Sequence, residues 1–336
     1  MRRSLLFGAI AAGLSAVPYA AYRKAMHAAK LRTRTGRRVV DAPGGPIEFG
    51  ESGVGPAVLF IHGAGGGFDQ GLDVARVFLG DDYRVIAPSR FGYLGTPLPD
   101  DATPEAQADA HVRLLDALHL DRVSVIGISA GGPSAMQFAL RHADRCSALA
   151  LLVPLAYAPN RAGGGKRLRP LFATVLNTLV SSDFAFWTAT KLAHSTLIET
   201  LLGTPFEVYR NATPEIRRGL DQMLMSILPV SKRAKGIEND KIVSANLTRY
   251  ALEDLRVPLL AISASDDGYG TFDSARYTAQ QCNGTFLGFE SGGHLLVGHD
   301  AQVRLRISAF LAEHHGVPER PAVVPEELAV EEVLTT

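Results

Sequence analysis

Cysteine is scarce in this sequence and a charge imbalance is missing. The 336 residues hold two cysteines, Cys146 and Cys282, with no Cys-x-x-Cys pair and no Cys/His group at zinc spacing. No disulfide framework and no metal site is therefore expected. Basic and acidic residues balance at 34 each, for a formal net charge of +0, which removes the electrostatic case for nucleic acid. The glycine-rich loop after Ile61 has neither G-x-G-x-x-G spacing nor a following Gly-Lys-Ser/Thr. Nucleotide binding is thus not expected, and no cofactor is called for. What remains, 46% hydrophobic and 20% charged residues, is the composition of an ordinary globular enzyme.

The N-terminus stands apart. Met1-Arg2-Arg3 precedes an uncharged run over 4–22, and Arg23, Lys24, Lys30, Arg32, Arg34, Arg37 and Arg38 follow with no acidic residue between them. Such a run is near the lower length limit for crossing a bilayer. The basic cluster behind it favours a membrane anchor with the main body on the cytoplasmic side. A cleaved signal peptide near Ala20 or Ala21, giving a secreted or periplasmic protein, is the rival expectation, and a plain tail is the third. Residues 1–37 are accordingly set apart as an anchor or signal plus basic linker.

From residue 38 onward strands and helices alternate. Arg38 to Asp41 and Ile47 to Glu51 flank Pro43-Gly44-Gly45-Pro46, a hairpin pattern. Ala57 to Ile61 is continuously apolar, as in a strand buried on both faces. Further strands are expected at Tyr83 to Ala87, Arg122 to Ile126, Ala148 to Val153, Val257 to Ser263 and Thr285 to Phe289. Thr103-Pro104-Glu105 has the cap and first-turn proline of a helix start. Eight strands with intervening helices make an α/β fold with a doubly wound, mostly parallel sheet, whose ligands sit at the carboxyl ends of the strands. Alternation stops over 154–256, where helical patches carry Leu171, Phe172, Phe186, Trp187, Leu197 and Leu224. This segment is expected to be an inserted helical cap, between core segments 38–153 and 257–315. Residues 316–336, rich in Pro and Glu, are expected to be a flexible tail.

Chemistry concentrates at three strand ends. Gly127-Ile128-Ser129-Ala130-Gly131 stands between the strand at Arg122 to Ile126 and an apolar helical pattern, so a G-x-S-x-G sequence sits on a strand-to-helix turn. A serine there needs a base and a group to hold that base. Of ten histidines, His294 follows a strand and a glycine pair in Ser291-Gly292-Gly293-His294; His299 is the weaker alternative. Asp266 and Asp267 follow the strand at Val257 to Ser263. Asp267, beside Gly268, is preferred and Asp266 is the reserve.

With His62-Gly63 after the third strand, the serine turn, the Asp266-Asp267 turn and Gly293-His294, in the order Ser, Asp, His, the chain resembles the α/β-hydrolase fold superfamily over about residues 38–315. The resemblance implies Ser129 as nucleophile, His294 as general base and then acid, and Asp267 as the orienting carboxylate. It also implies an oxyanion hole from the backbone N–H groups of Ala64 and Ala130. The loop that often reads Asp-x-Arg-Gly in relatives is Ser89-Arg90-Phe91-Gly92 here, so no role follows from it. A Ser nucleophile argues against epoxide hydrolases and haloalkane dehalogenases. The expectation is a cofactor-independent serine hydrolase of small apolar esters or related acyl compounds. A carbon–carbon bond hydrolase and a low-turnover ligand sensor of the same fold are the alternatives.

Overall fold

In a computed structural model, which describes residues 18–159 and 181–315, all eight expected strands form one sheet. They are β1 (Arg38–Ala42), β2 (Gly45–Ser52), β3 (Ala57–Ile61), β4 (Arg84–Pro88), β5 (Val123–Ile128), β6 (Cys146–Leu152), β7 (Leu259–Ala264) and β8 (Thr285–Phe289). The spatial order is β1-β2-β4-β3-β5-β6-β7-β8. The β1–β2 and β2–β4 pairs are antiparallel and the rest are parallel.

The continuous apolar runs follow from burial on both faces. Leu59 and Ile61 of β3, with Val125 of β5 and Leu149 of β6, face a cluster that includes Leu114, Phe138 and Ala275. These come from helix α3 (Pro104–Ala117), helix α4 (Gly132–Arg141) and the helix Thr271–Gln281. Val58 and Phe60 point the other way, with Ile126 and Ile262, against Ala75, Phe78, Ile307 and Phe310. Those belong to helix α2 (Phe68–Leu79) and the helix Asp300–His315. Period-two alternation thus distributes each strand between two cores, and each fully buried Leu, Ile or Phe contributes roughly 1.5–3 kcal/mol. At the start of α3 the Thr103 hydroxyl accepts the Ala106 N–H at 3.2 Å, as the Thr-Pro pattern requires.

Strand register brings the candidate groups together. β3 pairs with β5 so that Ile61 is opposite Gly127, which sets His62-Gly63 beside Ser129. β7 pairs with β8 so that Ala264 is opposite Phe289, which sets the Asp266-Asp267 turn beside the His294 loop.

Between β6 and β7 the described residues form the helices Asp183–Leu192, His194–Leu201, Phe206–Asn211, Pro214–Ser226 and Ala234–Ala245. Phe186, Trp187, Leu197, Ile198, Leu224 and Leu228 make a third apolar cluster. Leu171 and Phe172 lie outside the described residues, as do 316–336.

The described part of the N-terminal segment packs on the body. Residues 18–32 form helix α1, whose Met26 and Ala29 are buried in that third cluster. The Tyr22 ring meets Phe184 and Trp187 edge-on. Three of the seven basic residues that follow the run are engaged by the body: Arg32 with Asp69 at 2.9 Å, Arg37 with Glu48 at 2.5 Å, and Arg38 with Glu51. Residues 18–22 of the apolar run over 4–22 belong to α1. Residues 1–17, which hold the rest of that run and with it the anchor and signal expectations, lie outside the described residues. Among the described residues no helix is long and apolar enough to cross a membrane.

Candidate active site

β5 ends at Ile128, and the chain turns into α4 through a single 3₁₀ turn, Ser129–Gly131. Ser129 is held at φ 52°, a left-handed conformation that costs a non-glycine residue about 1–2 kcal/mol. The flanking glycines are required by close approach. A Cβ at Gly127 would stand 2.5 Å from the Ala135 Cβ, and one at Gly131 would stand 2.4 Å from the Ile61 carbonyl oxygen. Without side chains there, α4 lies against β5 and the serine turn lies against the end of β3.

Ser129 Oγ lies 2.8 Å from His294 Nε2, and His294 Nδ1 lies 2.8 Å from Asp267 Oδ2. Asp267 also accepts the Tyr269 N–H at 2.8 Å and the Thr271 hydroxyl. Burial works against ionisation of Asp267. The neighbouring His294 and the hydrogen bonds from His294, Thr271 and the Tyr269 N–H outweigh it and hold the carboxyl below the usual carboxylate range. An ionised Asp267 fixes the tautomer, so that Nδ1–H donates to the carboxylate and Nε2 accepts from the serine.

Asp266 does not reach His294. Its carboxylate accepts the N–H groups of Gly292 and Gly293, at 3.2 and 2.7 Å, and so shapes the loop that presents the imidazole. His299 stacks on Phe289 and meets the Ser291 carbonyl oxygen at 2.9 Å, which places it in loop structure rather than beside Ser129.

The loop after β3 crosses directly over the serine. A Cβ at Gly63 would lie 3.0 Å from the Ser129 Cβ, and Ala64, the next residue, is exposed. Ala130 follows Ser129 in the same turn. The loop is braced from below. His62 Nε2 accepts the Arg90 N–H at 3.0 Å, and His62 Nδ1 lies 2.7 Å from the Gly63 carbonyl oxygen. Burial first, and then the Arg90 guanidinium, push His62 far below the ordinary imidazole value. It is therefore a neutral imidazole that donates through Nδ1 and accepts through Nε2.

Sequence reasoning missed several groups that hold this arrangement. Arg90 donates to the His62 carbonyl oxygen at 2.9 Å and forms two parallel 2.7 Å bonds to Asp240, on the helix Ala234–Ala245. The Tyr93 hydroxyl donates to Asp240 at 2.5 Å and accepts the Gly65 N–H at 3.2 Å. Gly203, just after His194–Leu201, offers its carbonyl to the N–H groups of Gly268 and His294, at 2.8 and 3.1 Å. The Tyr269 ring packs 4.7 Å from His294 and its hydroxyl bonds the Thr200 and Leu201 carbonyls. The one available signal was the placement of Arg90 and Tyr93 in a glycine-punctuated loop at a strand end. The partners lie far away along the chain. Among the described residues no group of three or more His, Cys, Asp or Glu is placed to hold a metal ion.

A family model for the alpha/beta hydrolase fold matches residues 56–300. A 2-hydroxymuconate semialdehyde hydrolase from a Pseudomonas species is 32% identical over 131 residues, covering 38% of this chain and 46% of the relative. The 3-oxoadipate enol-lactonase 1 of Acinetobacter baylyi is 24% identical over 268 residues, 77% of this chain and 87% of the relative. Among solved structures, an alpha/beta hydrolase fold protein from Nakamurella multipartita superimposes with a TM-score of 0.64 at 26% identity, covering 82% of this chain and 98% of that one. The chain spans less than half the length of several curated relatives it matches, from 38% to 48% of theirs.

Proposed function

Since the chain belongs to the alpha/beta hydrolase fold family, we propose that it is a serine hydrolase of small, uncharged acyl esters, acting through an acyl-enzyme on Ser129. The observation that carries this is the hydrogen-bonded chain from Ser129 through His294 to Asp267, 2.8 Å at each step, with the Gly63 loop against the serine. In this reading His294 Nε2 takes the hydroxyl proton as Oγ attacks the ester carbonyl. The oxyanion that forms is met by the N–H groups of Ala64 and Ala130, at the positive end of α4. His294 then protonates the leaving alkoxide, and the cycle repeats with water to release the acid.

The cap supports an apolar acyl group. Ile227 lies against Gly65 of the loop, with side-chain carbons 3.6–3.9 Å from where a Cβ would stand, and Met223 packs against the same apolar cluster as Ile128, the residue before the serine. The two buried guanidiniums beside the loop, Arg90 and Arg233, are each taken up by a carboxylate. That favours a neutral substrate over one whose own carboxylate needs a cation.

A second reading, carbon–carbon bond hydrolysis, is supported by the names of relatives such as 2-hydroxymuconate semialdehyde hydrolase. p-Nitrophenyl esters of graded acyl length, tested beside a 2-hydroxy-6-oxohexa-2,4-dienoate, separate the two. Multiple turnovers on short esters, lost in Ser129→Ala, are expected. Faster cleavage of the dienoate would make the carbon–carbon reading the better one. A single stoichiometric release with tight product retention would mean a ligand sensor instead.

A further inference from the structure

The loop that carries Ala64 is fixed at its far end by a buried chain of charges that begins outside the hydrolase sheet. Arg32, the last residue of α1, donates from Nε to Asp69 Oδ2 at 2.9 Å. Its Nη2 donates to the carbonyls of Ser226 and Leu228, at 2.7 and 2.5 Å. Asp69 lies in the first turn of α2 and shares the same Oδ2 with Arg233 Nη2 at 2.8 Å. Arg233 in turn donates to the Ser226 carbonyl at 3.1 Å and, through Nη1, to the Gly66 carbonyl.

The Arg233 side chain is 0% exposed and that of Asp69 is 2% exposed, whereas Arg32 is 28% exposed and closes the cluster on the solvent side. Burial works against ionisation of Asp69, but Arg233 first and then Arg32 outweigh it and hold the carboxyl below its usual range. Two routes thus run from Arg32 to one loop. One goes through Asp69 and Arg233 to the Gly66 carbonyl. The other goes through the 226–228 turn, whose Ile227 rests against Gly65.

We propose that α1 is a positioning element of the site, and that Arg32 is the residue through which it sets the loop bearing the Ala64 N–H. The proposal rests on the serine-hydrolase reading. Arg32 touches no reacting atom; it acts by holding Asp69, Arg233 and the 226–228 turn in register. A donor displaced by an ångström from the developing oxyanion loses much of its effect, and misplacements of this size cost about 10²-fold in rate. Loss of Arg32, which leaves Arg233 in place, is expected to cost kcat about 10- to 100-fold.

The test uses the full-length chain as wild type, Arg32→Ala, Arg32→Lys and the solvent-side control Arg34→Ala. Two quantities are measured for each: kcat and KM on a short p-nitrophenyl ester, and the rate constant and end point of Ser129 labelling by a fluorophosphonate. Arg32→Ala is expected to lower kcat and the labelling rate constant by the same factor, with KM within twofold and full labelling at the end point. Arg32→Lys, which restores a cation to Asp69 but cannot also reach both carbonyls, regains part of the rate. Arg34→Ala matches wild type. A labelling rate constant unchanged in Arg32→Ala, or a loss confined to the end point, overturns the proposal, because a role in folding alone removes active molecules without slowing the rest. If Arg32→Ala is insoluble, Arg32→Lys carries the same comparison. A folded wild type that is not labelled at all refutes the serine-hydrolase reading and this proposal with it.

Discussion

Replacing Asp240 with alanine should destabilise the protein by about 3–5 kcal/mol, the usual cost of leaving one member of a buried ion pair without its partner. The Arg90 side chain is 7% exposed and that of Asp240 8%, so neither charge is relieved by solvent once the other is gone. Asp240 meets three groups at once: both terminal nitrogens of Arg90 and the Tyr93 hydroxyl. At roughly 2 °C per kcal/mol, the low end that suits a large domain, the expected fall in Tm is about 6–10 °C. Urea unfolding followed by tryptophan fluorescence and circular dichroism gives the free energy directly. The double variant Arg90→Met with Asp240→Leu should recover most of the loss, since two apolar side chains need no partner. It should not recover activity, because the His62 carbonyl loses its Arg90 donor and Tyr93, which receives the Gly65 N–H, loses its acceptor. A cost below about 1 kcal/mol for Asp240→Ala, or a double variant no more stable than the single, would refute the view that this pair clamps the helix Ala234–Ala245 to the Arg90 loop.

Three further outcomes are expected. Glycine at position 129 should be more stable than alanine there by on the order of 0.5–1 kcal/mol, reversing the ordinary order, because φ 52° strains any side chain; paired melting curves of Ser129→Gly and Ser129→Ala decide it. Asp267→Asn should lower kcat by about 10⁴, as in the serine-protease template where the wrong tautomer results, while Asp266→Asn, which only weakens the bonds to Gly292 and Gly293, should cost roughly 10-fold or less; equal losses in steady-state assays would contradict the separate roles. Burial, aided by Arg90 and Arg113, pushes His111 down to about 3, against ~6.5 unfolded. Between those values only the unfolded chain binds the proton, so stability falls as pH drops below ~6.5, by about 1.4 kcal/mol per pH unit. His62 adds to the same acid limb. His111→Leu should make that limb shallower by one proton's worth in urea titrations run from pH 7 to 5, and an unchanged slope would count against a neutral buried His111.

The sheet was legible because a strand covered on both faces must be apolar at consecutive positions. Val58 to Ile61 and Leu149 to Leu152 have no other ready interpretation, whereas the register of β3 on β5 is not written in runs that are apolar at every position. Ser129 and His294 were legible for a related reason: each sits where a strand ends beside glycines that clear space. Asp266 and Asp267 were harder to separate, since both follow β7, and only the turn geometry decides which carboxylate faces Nδ1 and which faces the Gly292 and Gly293 amides. The braces were not legible. Arg90 and Asp240 are 150 residues apart, and Arg233 and Asp69 are 164 apart; such pairs leave no periodicity to read. The docking of helix α1 was not legible, because the carboxylates that engage Arg32, Arg37 and Arg38 lie far enough along the chain to give no local sign.

The most direct measurement is the intact mass of the wild type and of Ser129→Ala after incubation with a fluorophosphonate. An activated Ser129 predicts one adduct on the wild type, none on the variant, and circular dichroism spectra that coincide. A folded wild type that gains no mass, or a variant labelled as fully as the wild type, would contradict the assignment of Ser129 as the nucleophile.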